Sequence, residues 1–278
     1  MRQIFLFVLL FSTVFADNYV DDSANRVYKN LNAYPSSAWG ISMDLGYTNY
    51  QIDVISVELN RAIDYNILEF SLGGSYAYGD WLFGIVGKTQ VEELESNVIV
   101  EREGGRLNDL ATINRSEVAL YMGYKINDSM RLHALFRESK LKAEDSYVAY
   151  IAYDTEFDYQ TDGLALSWLY HKTLFSYHAI WSSIGLDYSR AKVSISERVN
   201  SRVDDAYIDD SSYSLGYKLG VGYNYLFSDN IILKLGADYY KFDFGALDVS
   251  SKMQQEVIEK AYLTEETYSM RCGIVYRF

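Results

Sequence analysis

Read at every second position, most of the chain after residue 38 separates into an apolar set and a polar set. Trp39, Ile41, Met43, Leu45 and Tyr47 alternate with Gly40, Ser42, Asp44, Gly46 and Thr48. This is the period of a pleated strand, whose successive side chains point to opposite faces. The same alternation returns in Leu68, Phe70, Leu72, Tyr76 and Tyr78, then in Trp81, Phe83 and Ile85, and again in Val118, Leu120, Met122, Tyr124 and Ile126. It continues through Met130 to Phe136, Leu164 to Tyr170 and Phe175 to Trp181, where a slip at Ser182-Ser183, read as a β-bulge, moves the apolar phase to Ile184, Leu186 and Tyr188. Tyr213 to Tyr225 and Ile231 to Tyr239 follow. The last strand places Tyr268, Met270, Cys272, Ile274, Tyr276 and Phe278 on one face. The pattern predicts ten strands. The apolar residues Ile52, Val54, Ile55, Val57 and Leu59 leave twelve open, since they fit either an extension of the first strand or an extra crossing.

The connections alternate too. Gly79-Asp80, Asn127-Asp128-Ser129, His171-Lys172 and Ser228-Asp229-Asn230 read as tight turns. Residues 50–65, 93–114, 143–158, 191–211 and 243–265 read as long loops. A β-barrel that crosses a membrane has short turns at one end, long loops at the other and an even strand count. Strands of about 10 residues suffice for that crossing.

Arg2, the apolar run from Ile4 to Phe15 and the sequence Val14-Phe15-Ala16 before Asp17 predict a signal peptide over 1–16. The run is too short for a membrane-spanning helix, which needs about 20 residues. Residues 17–38, with Pro35, are expected to form a periplasmic lead-in, and 39–278 the barrel domain. The chain has 27 Tyr and 1 Pro. Scarce proline suits a mostly paired chain, because proline cannot donate to a β ladder. The single Cys272 excludes an internal disulfide.

The closing alternation that ends on Phe278 resembles the C-terminal strand of Gram-negative outer-membrane β-barrel proteins, which end on Phe with apolar residues at alternate positions before it. The resemblance covers Trp39 to Phe278 by pattern and fixes no narrower family; a solitary autotransporter-type barrel is the twelve-strand alternative. It implies an all-β, closed antiparallel transmembrane barrel in the cell outer membrane, contacting outer-membrane lipid and lipopolysaccharide. It further implies recognition by the barrel-assembly machinery through the Tyr268, Met270, Ile274, Tyr276 and Phe278 signature. No cofactor, metal or nucleic acid is expected, and the barrel is expected to be a monomer.

Charge then refines the picture. The five long connections together hold more acid than the whole net charge of −13, so the acidity is expected at the cell-facing rim. The inward phase carries Asp44, Glu69, Lys88, Glu117, Lys125, Arg131, Arg137, Lys218, Lys234, Asp238, Arg271 and Arg277. So many charges of both signs in a narrow lumen are expected to pair with one another, Arg271 and Arg277 with acids such as Asp44, and to leave little bore.

Hydrolytic chemistry has few candidates. Omptin proteases, also ten-stranded, use an Asp pair and an Asp-His pair at the rim. Asp204-Asp205 and Asp209-Asp210 fall in a long connection, but His133, His171 and His178 fall near the short turns. Outer-membrane lipid hydrolases use Ser-His pairs. The nearest set here is His178 with Ser176 or Ser182, and it reads as ordinary inward polarity. The sequence therefore predicts a non-enzymatic structural or surface-interaction protein, with a narrow channel and a lipid- or peptide-hydrolysing enzyme as the alternatives.

Overall fold

A computed structural model describes residues 37–278 apart from 57–59, 93–94, 103–104, 149–151, 176, 200–201, 204–205 and 252–255. The expected signal peptide and all but the end of the lead-in lie outside the described residues. The strands are β1 (Ser37–Ile55), β2 (Asn60–Tyr78), β3 (Trp81–Gln90), β4 (Glu95–Arg102), β5 (Gly105–Asn127) and β6 (Met130–Val148). They continue as β7 (Ala152–Phe175), β8 (His178–Val199), β9 (Arg202–Val203), β10 (Ala206–Leu226), β11 (Ile231–Ser251) and β12 (Glu256–Arg277). β3 and β4 succeed each other along the same gap between β2 and β5, and β9 pairs only with the end of β8. The twelve segments therefore build ten staves, the number the alternation predicts, in a closed antiparallel barrel.

Closure is made by β1 and β12, which pair from Gly40↔Arg277 to Ile55↔Tyr262. The end of the chain is fastened by backbone hydrogen bonds from Phe278 N–H to the Trp39 carbonyl (2.9 Å) and from Arg277 N–H to the Asn230 carbonyl (2.8 Å). Tyr276 meets Phe278 edge to face, with ring centroids 4.9 Å apart. The β2–β3 turn is as tight as expected: Gly79 takes φ +57°, a left-handed value that glycine adopts without a Cβ clash.

The staves are longer than a membrane needs. Apart from the divided β3/β4 stave, each main strand has 19 to 24 residues. At about 3.4 Å per residue that is roughly 65–80 Å of strand, against a hydrocarbon core about 30 Å thick. The segments expected as long loops are largely strand. Pairing runs to Ile55↔Asn60, Arg102↔Gly105, Val148↔Ala152, Val199↔Arg202 and Ser251↔Glu256. The apolar run after Tyr50 thus begins as an extension of the first strand, and Val57 and Leu59 lie outside the described residues.

The two halves of the staves have opposite polarity wherever the side chains are described. In β1 the outward residues are apolar up to Tyr47, after which Asn49, Gln51 and Asp53 face out while Tyr50, Ile52 and Val54 are buried inside. β8 switches at the same height: Ile184, Leu186 and Tyr188 face out, then Arg190, Lys192 and Ser194, as Ala191, Val193 and Ile195 turn inward. β12 does so between Tyr268 and Glu266 outside, and between Glu265 and Leu263 inside. The half nearer the tight turns therefore wears an apolar belt over a polar lumen. The distal half wears a polar coat over an apolar core.

The expected bulge at Ser182-Ser183 is absent. β8 pairs in unbroken register with β7 and β10 across these residues, and the irregularity lies between Thr173 and Phe175 beside the turn. From Ile180 onward the even positions face out, so Ala179 and Trp181 point inward. The Trp181 indole occupies lumen space beside Gly222 and Gly236, where a Cβ on Gly222 would overlap the ring.

Candidate functional site

The lumen holds two stacked layers. The layer at the level of the polarity switch is ionic. Arg115 from β5 lies between Glu69 of β2 (2.8 Å) and Glu117 of its own strand (3.2 Å), and Lys88 of β3 reaches Glu117 at 2.6 Å. Glu69 also accepts from the Thr48 hydroxyl at 2.8 Å, while the Arg115 guanidinium rests 4.0 Å above the Tyr50 ring. Across the lumen, Arg137 pairs with Asp187 at 3.1 Å and sits 4.9 Å from the Phe242 ring centroid. Asp238 takes both Lys218 (3.5 Å) and Arg271, and Tyr159 donates to Glu265 at 2.5 Å. Glu69, Glu117, Arg115, Arg137 and Asp187 are all buried. Desolvated charges of this kind persist only when paired, and removal of one partner costs about 3–5 kcal/mol.

Of the charges expected in the lumen, Glu69, Lys88, Glu117, Arg137, Lys218, Asp238 and Arg271 are brought into these contacts. Lys234 pairs with Asp44 at 2.8 Å, and Lys125 with Asp128 in the adjoining turn at 2.7 Å. The expected pairing of Arg271 with Asp44 is corrected. Asp44 stands opposite Gly273, whose missing side chain leaves it space, and its partner is Lys234 on β11. Arg271 goes to Asp238 instead. Arg115 and Glu265 escape the sequence reading, Arg115 because it stands beside a segment read as loop and Glu265 because it is counted there as a rim acid. Their signal was the i, i+2 phase they share with Glu117 and Thr267.

Above the ionic layer lies the apolar one. Tyr50, Ile52, Ile63, Tyr65, Phe157, Ile195, Phe242, Leu247 and Leu263 belong to a single cluster drawn from nearly every stave. Each of them is at most 3% exposed, so the distal lumen is packed with side chains. A cavity of about 20 Å³ remains in the ionic layer, lined by Glu69, Arg115, Glu117, Arg137 and Tyr240 among others. That is room for roughly one water, and it is no conduit.

The histidines lie at the opposite end from the distal rim. His133 and His171 face inward near the tight turns. His178, read as inward from sequence, belongs to the outer face: it is in register with Tyr225, its ring 5.1 Å away, and its Nδ1 is hydrogen-bonded to the Tyr223 hydroxyl. The phase reset at Thr173/Phe175 accounts for the difference. Ser182 stands four residues further along the strand, roughly 13 Å away, beyond the reach a general base needs. Ser176 and Asp204-Asp205 lie outside the described residues. Asp209 and Asp210 are on β10, and Asp210 accepts from the Asp248 backbone N–H at 2.8 Å. Among the described residues there is no group of three His, Cys, Asp or Glu side chains that could hold a metal.

The fold can now be set beside solved structures. The outer membrane protease OmpT from Escherichia coli superposes with a TM-score of 0.66 at 12% identity, covering 89% of this chain and 100% of that one. This is the fold of an outer-membrane β-barrel. The translocator domain of the autotransporter NalP from Neisseria meningitidis follows with a TM-score of 0.52, again at 12% identity, covering 87% of this chain and 89% of that one. No protein-family model matches the sequence, and no curated protein matches it. Identities this low carry the fold alone. In such barrels the short turns face the periplasm; in this chain the apolar core and its polar coat lie at the end opposite the tight turns.

Proposed function

We propose that this protein is a non-enzymatic, non-conducting outer-membrane barrel that acts through the rigid column it raises above the membrane, as a structural or surface-interaction element. The observation that carries the reading is the apolar core of the distal lumen, where Ile52, Phe157, Phe242 and Leu263 are at most 1% exposed. A solute or ion pathway needs a continuous polar bore or a constriction that can open. A strand-borne core packed across the barrel offers neither. Three features support the non-enzymatic part: His178 is held by Tyr223, Ser182 is out of its reach, and the other histidines face the lumen near the turns. The coat of the column, with Asp53, Asp64, Asp158, Asp162 and Glu266, is the surface offered to other partners and, where divalent cations bridge its carboxylates to phosphate, to lipopolysaccharide. The C-terminal strand, through Tyr268, Met270, Ile274, Tyr276 and Phe278, is the segment offered to the assembly machinery. In planar bilayers the purified protein is expected to give no single-channel steps. Stable, reproducible steps would overturn the reading, as would a peptide- or lipid-hydrolysing activity that is lost in His178→Ala.

A further inference from the structure

The larger of the two cavities described is not in the lumen. It is a notch of about 380 Å³ on the outer wall where β10, β11, β12 and β1 run side by side. Its floor is Ala237, whose register neighbours are Val221 and Met270; Met270 in turn stands beside Tyr47. Toward the distal end the wall rises into Tyr239 and Tyr268, with ring centroids 4.7 Å apart. One small side chain among large ones makes the depression. It lies at the upper edge of the apolar belt and opens toward lipid.

Directly above the notch the outward positions turn acidic. Glu266 accepts from the Tyr268 hydroxyl at 3.2 Å and from Lys241 at 2.5 Å. Gln51 is in register with both Glu266 and Asp64, and Thr264 with both Asp53 and Asp243. Among the described residues, four carboxylates thus face out here around one ammonium, that of Lys241. Burial and the charges of Glu266 and Asp64 push the Asp53 carboxyl above its ordinary value, as expected where acids crowd one another. The flank formed by β6, β7 and β8 differs: at the same height Lys140, Lys142 and Arg190 are each within 4 Å of an acid, and Lys192 adds a further cation.

We propose that this notch holds one acyl chain of an outer-leaflet lipid whose headgroup carries a positively charged amine, with the chain over Ala237 and the amine against Glu266, Asp64 and Asp53. The width favours a chain over a helix. β10 and β12 are two strand spacings apart, about 10 Å, whereas a helix with its side chains is about 10–12 Å across and would ride over the notch without entering it. The charge selects the headgroup, since the acidic row attracts an ammonium and repels an unscreened phosphate. The proposal is independent of whether the lumen conducts.

Native mass spectrometry of the intact barrel, released from detergent after addition of a dioleoyl lipid with an ammonium headgroup or of dioleoyl phosphatidylglycerol, tests it. The expected result is one ammonium lipid retained per barrel, with apparent affinity about tenfold above that of the anionic lipid. Ala237→Phe, which fills the notch, is expected to remove the adduct; if that variant does not assemble, Ala237→Leu is expected to reduce it. Asp53→Asn combined with Asp64→Asn is expected to abolish the preference for the ammonium lipid while chain retention persists. Equal retention of the two lipids by the unmodified barrel, or an adduct unchanged by filling the notch, would overturn the proposal.

Discussion

The halves of the barrel on either side of the polarity switch are built from the same ten staves, yet they solve opposite solvation problems. Near the turns the wall meets lipid, so Leu164, Leu166 and Trp168 of β7 face out, while their inward neighbours Ala165 and Gly163 are small and the lumen carries charge. Further up the same strand, Gln160 and Asp158 face out and Phe157 and Tyr159 are buried. Both regions are antiparallel strand; the distal one adds register shifts in β10 and β11 and the break between β3 and β4. The difference shows that a transmembrane barrel becomes a water-soluble one by shifting its apolar phase by one residue, because successive side chains on a strand point to opposite faces. The ionic layer marks the joint, where neither solvent is available and charges must satisfy one another.

Truncating one aromatic in each half should break this symmetry most visibly. Phe242→Ala removes a fully buried ring from the distal core and is expected to cost about 3–5 kcal/mol, read as a lower temperature for the heat-induced gel shift of the folded barrel. Phe136→Ala, on the lipid face, opens no sealed cavity because lipid takes up the space, and is expected to lower that temperature far less. Equal losses would mean that the distal lumen is not packed.

Charge insertion along β7 sharpens the same contrast. Leu166→Arg places a charge in the belt and is expected to destabilise by about 2–4 kcal/mol. Gln160→Arg, outward in the coat, is expected to change stability by less than about 0.5 kcal/mol. A comparable penalty at both sites would extend the lipid-facing zone over the distal half.

The smallest effect concerns pH. The folded Asp53 carboxyl titrates above its ordinary value of 3.8, raised by burial and by Glu266 and Asp64. The folded state therefore prefers it protonated. The stability this contributes is present below the unfolded pKa and is lost as pH rises through the folded one. Asp53→Asn should consequently stabilise the barrel slightly at pH 7, by less than about 1 kcal/mol for a half-exposed site, read as a small rise in unfolding temperature, and the gain should vanish on acidification to the ordinary carboxylate range. A loss at pH 7 would show that Asp53 has an attractive partner.

The belt half was legible in the sequence because its alternation is long and constant in phase. Tyr213 to Tyr225 and the closing strand needed no tertiary information, and the inward charges from Asp44 to Arg277 followed from parity. The distal half was written in the same alphabet but in the opposite phase. Tyr47 followed by Tyr50, Ile52 and Val54, or Tyr188 followed by Ala191, Val193 and Ile195, reads locally as a strand that ends and a loop with scattered apolar residues. Only the neighbouring staves show that Ile52, Ile63 and Leu263 share one interior. Trp181 failed for a related reason. A large aromatic in a barrel strand reads as lipid-facing, and the glycines that admit it to the lumen lie on β10 and β11, remote in sequence.

The inversion of polarity along the staves can be read most directly by a spin-label scan of β1. With Cys272 replaced by Ser, single cysteines from Trp39 to Ile55 would carry the label, and collisions with lipid-soluble oxygen and with a water-soluble nickel chelate would be compared in bilayers. Odd positions up to Tyr47 are expected to favour oxygen, Asn49, Gln51 and Asp53 to favour the chelate, and Tyr50, Ile52 and Val54 to be shielded from both. Oxygen preference continuing to Ile55, or free access of the chelate to Ile52 and Val54, would contradict the inversion.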